Sequence, residues 1–345
     1  MPKIILPNEE TQLWSGIAKD DELASIFQTM NIDLENVKGK IVLAEKLTEV
    51  TDNTALANLS AAIFDFIRTD ADNTDRWWAG VQAGRLFKST NTDPEGTWAQ
   101  DAISGTPTDA QDDLEVFQDK LYVPVADNID EMDNGTWTAN WYSGLTGASA
   151  LVSTVPHPLK KFLNLLLIGD GQFLNTVDDS EVVVDPRLTL PPEYEIQWIQ
   201  TDGELAYLGS KHNLKGDGRV YTWNGTDVAE TDYFSVDDFN TLAGVVDARG
   251  LLVIVNARGQ ILEFNGSGFD EIQAFPWAYE VGNDNISNVA WIQRNGMIPT
   301  ENGILFLVLG DTSYERAPGG IWYLDFLTGN LYQKYSLGQF GTKDH

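Results

Sequence analysis

Two segments of the chain run nearly in parallel: Gly218-Arg219-Val220-Tyr221-Thr222-Trp223-Asn224-Gly225-Thr226 and, 41 residues on, Gly259-Gln260-Ile261-Leu262-Glu263-Phe264-Asn265-Gly266-Ser267. Each is a glycine-led apolar strand running into Asn-Gly. That dipeptide predicts a two-residue type I′ hairpin, because both central positions of such a turn need φ > 0. A fixed period of this size means one supersecondary unit repeated in a stack or a ring.

Weaker copies carry the period along the chain. A glycine followed by apolar residues recurs at Gly84-Arg85-Leu86-Phe87, Gly171-Gln172-Phe173-Leu174 and Gly320-Ile321-Trp322-Tyr323, with Asn128-Ile129 a degenerate copy. Gly39-Lys40-Ile41-Val42 opens a candidate seventh copy. The interval from Gly259 to Gly320 is longer than the others, and the excess is assigned to extended loops at Pro299–Gly303 and Asp311–Gly319. Upstream of each glycine lies a short apolar run: Trp77–Val81, Leu121–Val123, Asn164–Ile168, Leu205–Leu208, Leu251–Val255 and Leu305–Leu309. Runs of this length, bounded by Gly, Asn and Asp, read as buried strands. Inner strands, a glycine-led strand, a turn and a polar outer strand in ~40–45 residues make the blade of a β-propeller. The expected fold is therefore all-β, a β-propeller of six or seven four-stranded blades, with Trp223 and Phe264 in equivalent pockets between blades. Residues 1–55 are expected to form an N-terminal arm and candidate ring-closing strands, with a short helix near Asp21–Phe27. Residues 56–345 form the propeller.

Composition bounds the chemistry. The chain has no cysteine, which excludes a disulfide scaffold, a thiolate zinc site and a cysteine nucleophile. Its 52 acidic and 22 basic residues leave a net charge of −30, a surface that repels nucleic-acid phosphates. Tight nucleic-acid binding is not expected, although such a wall suits a channel through which DNA slides. An excess of this sign also keeps a particle soluble and suits a high-salt habitat. No segment approaches the ~20 apolar residues of a membrane-spanning helix, and the first residues lack a signal-peptide core.

Candidate sites are few. Asp70-Ala71-Asp72-Asn73-Thr74-Asp75 alternates oxygen ligands like a calcium loop, but lacks the glycine at position six and the glutamate at position twelve. It reads as a solvated acidic turn. His157, His212 and His345 are isolated from one another and give no metal-ligand spacing. No Gly-x-Ser-x-Gly elbow is present to start a catalytic triad. Asn58, Asn134, Asn224, Asn265 and Asn285 match glycosylation sequons, but Asn134, Asn224 and Asn265 are accounted for by turns. No catalytic residue, metal site or cofactor is assigned.

Two resemblances follow from these residues. Ser89-Thr90-Asn91-Thr92-Asp93-Pro94-Glu95-Gly96-Thr97-Trp98 resembles the Asp-box turn of sialidase-type propellers, one residue off its spacing, and Asp133-Asn134-Gly135-Thr136-Trp137 keeps its end. That box is a structural turn. The nine arginines lie at unrelated blade positions and do not form the cluster a sialidase needs. Asn31-Ile32-Asp33-Leu34 leading to Gly39–Leu47, with Tyr221–Gly225 and Phe264–Phe269, resembles the propeller-type structural proteins of tailed-virus particles over about residues 31–336. The resemblance implies a non-enzymatic component of a tail, neck or nozzle, made in the host cytoplasm and resident in the virion. Its implied partners are other virion proteins and copies of itself, with no membrane. Contacts are expected at the arm up to Thr51 and at the loop Asp311–Gly319. The alternatives are a carbohydrate- or receptor-binding propeller and, more weakly, a glycan hydrolase.

Overall fold

A computed structural model describes residues 32–33, 42–43, 63–81, 85–89, 97–101, 113–226, 233–236, 240–279, 292–308 and 319–336. The chain divides into two compact units, residues 49–244 and residues 245–345 with 1–48.

Two short strands, β1 (Ile32–Asp33) and β2 (Val42–Leu43), pair with each other, and β1 joins none of the four-stranded ladders. Neither the closing strand nor a seventh blade expected around Gly39 is found among the described residues. Asp21–Phe27 lies outside them.

Six four-stranded antiparallel sheets follow, each made of consecutive strands. The first holds β3 (Ile63–Thr69), β4 (Arg76–Val81), β5 (Arg85–Ser89) and β6 (Trp98–Asp101). The second holds β7 (Glu115–Phe117), β8 (Lys120–Val125), β9 (Asn128–Asp133) and β10 (Thr136–Thr138). The third holds β11 (Leu159–Phe162), β12 (Leu165–Asp170), β13 (Phe173–Asp178) and β14 (Val183–Thr189). The fourth holds β15 (Tyr194–Thr201), β16 (Ala206–His212), β17 (Gly218–Trp223) and β18 (Tyr233–Ser235). The fifth holds β19 (Thr241–Val246), β20 (Leu252–Asn256), β21 (Gln260–Phe264) and β22 (Phe269–Ala274). The sixth holds β23 (Ile292–Thr300), β24 (Gly303–Val308), β25 (Gly320–Asp325) and β26 (Leu331–Ser336). The described helix is confined to one α turn, Trp141–Gly144, and one 3₁₀ turn, Pro276–Tyr279.

The sequence pattern maps onto this order. The six apolar runs fall on the second strand of each sheet, and the six repeat-leading residues open the third or lie one or two residues before it. Second strands lack polar alternation because both of their faces are covered: five successive residues of β12, Leu166 to Asp170, and all of β20 are buried. The core of residues 49–244 accordingly lies between sheets. Trp78, Leu86, Leu121 and Met132 join the first to the second. Tyr122, Tyr142, Leu166 and Ile168 join the second to the third, and Phe162, Leu174, Ile196 and Tyr221 the third to the fourth. In the other unit, Phe275 packs edge-on against Phe306 and Trp322 at centroid distances of 5.4 and 5.6 Å.

Three local expectations are corrected. Pro299–Gly303 is not an extended loop: Pro299 pairs with Ile304 and Thr300 with Gly303, closing a hairpin. Trp223 is buried against Phe162 of the preceding sheet, but Phe264 is only partly buried and packs on its hairpin partner Phe269. The Asn-Gly pairs at 224–225 and 265–266 are not type I′ turns, since only Gly225 and Gly266 have positive φ. The Asn265 side-chain oxygen instead accepts the amides of Ser267 and Gly268, both at 2.9 Å, and Asn224 accepts that of Thr226 at 3.0 Å. An asparagine that hydrogen-bonds forward in this way shapes the turn with its side chain.

Candidate functional site

Three hairpin turns of the first two sheets meet around a hollow of about 540 Å³. The turn from β3 to β4 supplies Asp70, Ala71, Asn73 and Asp75; that from β7 to β8, Gln118 and Asp119; that from β9 to β10, Asn134 beside Asp133. The last two are two-residue turns with positive φ at both positions, 53° and 60° at Gln118-Asp119 and 48° and 77° at Asn134-Gly135. The type I′ geometry expected of Asn-Gly is thus realised at Asn134-Gly135, and also at a pair with no glycine.

The turns are tied to one another. The Gly135 amide donates to Ala71 O at 3.0 Å, linking the second sheet to the first, and Asn73 N donates to Asp70 O at 2.8 Å. Ala71 is buried in the core shared with Trp78 and Met132, so the floor of the hollow is anchored while its polar side chains face outward.

Its electrostatics are acidic, with cations set around the margin. Arg68 grips Asp75 through two hydrogen bonds of 2.9 and 2.6 Å, and this contact holds the Asp75 carboxyl below its ordinary value. Asp72 pairs with Arg76 at 2.9 Å and lies 3.7 Å from Lys88, which also reaches Asp101 at 3.1 Å. Lys120 spans Glu131 at 3.0 Å, Glu181 at 3.3 Å and Asp133 at 3.6 Å. Burial disfavours the charge on that ammonium, but Glu131 and Glu181 outweigh burial and raise its pKa. Beneath it, burial and the Glu131 carboxylate push Tyr122 far up, so its phenol stays protonated and donates to Glu131 at 3.0 Å.

The calcium-like segment Asp70–Asp75 therefore lines the hollow, but its carboxylates do not converge. Among the described residues no group of three His, Asp or Glu side chains is placed to hold a metal ion. The Asp-box-like segment spans the hairpin from β5 to β6, where Ser89 and Trp98 are cross-strand partners and both are buried; its residues 90–96 lie outside the described region. Ser89 Oγ accepts the Trp77 amide at 2.9 Å, a structural use of that serine. His157 and His212 lie in different sheets' surroundings and share no site, and His345 lies outside the described residues. Gln118 and Asp119 were missed from sequence; the short spacing between Phe117 and the apolar run from Leu121 was their only signal. Carboxylates and amides around an open hollow can bind hydroxyl groups or basic side chains, and they would repel a phosphate.

No family model matches the chain, and no curated protein does. Among solved structures it is similar to virginiamycin B lyase from Staphylococcus aureus, with 11% identity over 78% of this chain and 82% of that one, TM-score 0.53. It is also similar to a chain of the mitotic checkpoint complex (13% identity, 87% and 90% covered, TM-score 0.51) and to the Dos1 propeller (13%, 90% and 75%, TM-score 0.50). At these identities the likeness establishes the fold alone: the protein is an all-β, six-bladed β-propeller, each four-stranded sheet a blade.

Proposed function

We propose that this propeller is a non-enzymatic structural component of a tailed-virus particle, placed in the tail, neck or nozzle and assembling in symmetric copies. The observation that carries the reading is the exposure of large aliphatic side chains at hairpin tips of an otherwise acidic protein. Leu214, between β16 and β17, is 90% exposed, and Leu327, between β25 and β26, is 80% exposed. Apolar points presented by short turns on a rigid sheet frame suit contacts with protein neighbours. The net charge of −30 opposes self-association until salt screens it, at ~0.1 M and above, where the screening length falls to ~10 Å. The resemblance of residues 31–47, 221–225 and 264–269 to virion propellers supplies the particular setting. The test is purification of particles from the native source, followed by quantitative mass spectrometry. A fixed integral copy number per particle is expected, and detection only as a free monomer rejects the reading.

A second reading, a carbohydrate-binding propeller, is favoured by the polar hollow, whose carboxylates and amides suit sugar hydroxyls. A glycan array distinguishes it: saturable binding lost on Asp119→Lys shifts the assignment to this reading, and release of sugar overturns the non-enzymatic one.

A further inference from the structure

His157 lies in the connector between the second and third blades, with its side chain fully buried. Its two ring nitrogens face two acceptors that have no proton to give. Nδ1 is 3.2 Å from the carbonyl oxygen of Gly169 on β12, and Nε2 is 3.1 Å from the carbonyl oxygen of Ala126, in the turn from β8 to β9. A neutral imidazole carries one N–H and one lone pair. In either tautomer, the lone pair of a neutral ring would point at a carbonyl lone pair inside the core, where an unmade hydrogen bond is costly. A ring protonated at both nitrogens satisfies both carbonyls, and the Asp170 carboxylate, 3.6 Å from Nδ1, supplies the opposite charge.

His212 makes the contrast. Its Nδ1 accepts the backbone amides of Leu214 and Lys215, both at 3.0 Å, so that nitrogen carries a lone pair and the ring is the neutral Nε2–H tautomer. Two histidines of one chain are thus assigned opposite states by their partners alone.

We propose that His157 is held as the imidazolium cation and acts as a two-donor clamp, tying the second blade to the third through Ala126 O and Gly169 O. The surrounding chain is packed to match. The Gly169 amide donates to Pro158 O at 2.9 Å, and a Cβ on Gly169 would lie 2.7 Å from the Pro158 ring, so the connector has no slack over β12. Leu151 N donates to Asp127 O at 3.0 Å, fixing the start of the connector to the same turn that holds Nε2.

The charged and titratable groups facing the clamp are acidic or phenolic. Asp170 on β12 accepts the Val152 amide at 2.9 Å, and Asp185 on β14 accepts the Ser149 amide at 2.8 Å and the Tyr142 hydroxyl at 3.1 Å. Asp113 accepts the Leu159 amide at 3.2 Å, and Asp127 lies exposed beside Ala126. Burial raises the Asp170 pKa, and the nearby Asp185 adds to it, while the Val152 amide and His157 oppose it. A cation is the element that completes this group.

The test is ¹⁵N NMR of the imidazole rings in the full-length protein, with His157 identified by comparison with His212→Asn and His345→Asn. At pH 7.5 one ring is expected to show both nitrogens protonated, and a second to show the neutral Nε2–H pattern. Absence of any doubly protonated ring at that pH overturns the proposal, whether or not the variants fold. Amide exchange supplies an independent readout. Protection of Gly169 and Leu151, compared at one pH with Leu208 in the fourth blade, is expected to fall ~10-fold in His157→Gln, because one of the two carbonyls loses its donor. An unchanged ratio in that variant overturns the clamp.

Discussion

Gly209, inside the fourth blade, and Gly135, on the rim of the polar hollow, are both glycines at points of close approach, and they are required for different reasons. Gly209 sits opposite Trp198 in the ladder between β15 and β16. A Cβ there would fall 1.8 Å from the indole, and one on Gly244, on β19, 2.7 Å from the same ring. The indole is buried and fills the space both side chains leave empty. At Gly135 the nearest atom a Cβ would meet, Asp72 O, is 3.4 Å away, which is tolerable, but φ is +77°. Inside the blade, glycine makes room; on the rim, it makes a turn. The first use is tied to the identity of a distant tryptophan and the second is local, so the two respond differently to substitution.

The interior half of that contrast carries the largest effect. Trp198→Ala is expected to cost ~3–5 kcal/mol, the range for emptying a buried aromatic site. Gly209→Ala alone should cost ~1–3 kcal/mol or more through overpacking. In the Trp198→Ala background the Gly209→Ala cost should shrink to less than half, because the clash has gone. Urea unfolding of the two single variants and the double variant measures this, and strictly additive costs would refute the steric account.

On the rim, Gly135→Ala should cost ~1–2 kcal/mol, the penalty for a Cβ in left-handed backbone. Gly135→Asn should cost less, because asparagine tolerates that region. Equal losses for Ala and Asn would mean that space rather than φ decides this position, which would erase the distinction.

The smallest effect concerns pH at another turn, between β15 and β16. Burial pushes the Asp202 carboxyl up, but the Tyr207 hydroxyl, at 2.6 Å, and the amides of Leu205 and Glu204, both at 2.8 Å, outweigh it and hold its pKa below 3.8. A depressed native pKa stabilises above the unfolded value and is lost as pH falls through the native one. The stabilities of wild type and Asp202→Asn should therefore differ by a constant amount above about pH 3.8 and converge as pH falls below it. Curves that stay parallel through that range would show that the carboxylate is not what secures this turn.

The blade pattern was legible because it is local. A strand covered on both faces must be an uninterrupted apolar run, and the residue opening the next strand must turn the chain, so Leu165–Asp170 and Gly171, or Leu252–Asn256 and Gly259, announce themselves within a short window. The turn at Asn265 was misread because the dipeptide reports only that left-handed backbone is near; whether the asparagine side chain captures the following amides depends on loop length. The hollow was half legible. Asp70–Asp75 stood out as an oxygen-rich turn, but Gln118-Asp119 and Asn134-Gly135 come from the next blade, and no spacing along the chain reports that Gly135 N reaches Ala71 O. Phe264 failed for a related reason: equivalence in the repeat does not ensure an equivalent neighbour.

Each of the six sheets is completed by strands that follow one another along the chain, none of them borrowed from a remote segment. During synthesis, a nascent chain of about 40 residues beyond a connector already contains every backbone partner its sheet requires, so ladder formation need not wait for the rest of the protein. What must wait is the covering of each sheet's second face, which arrives with the next blade. The ribosome would thus release this protein as a series of finished ladders with one temporarily wet side, and a circular permutant opened in a connector would cut no ladder at all.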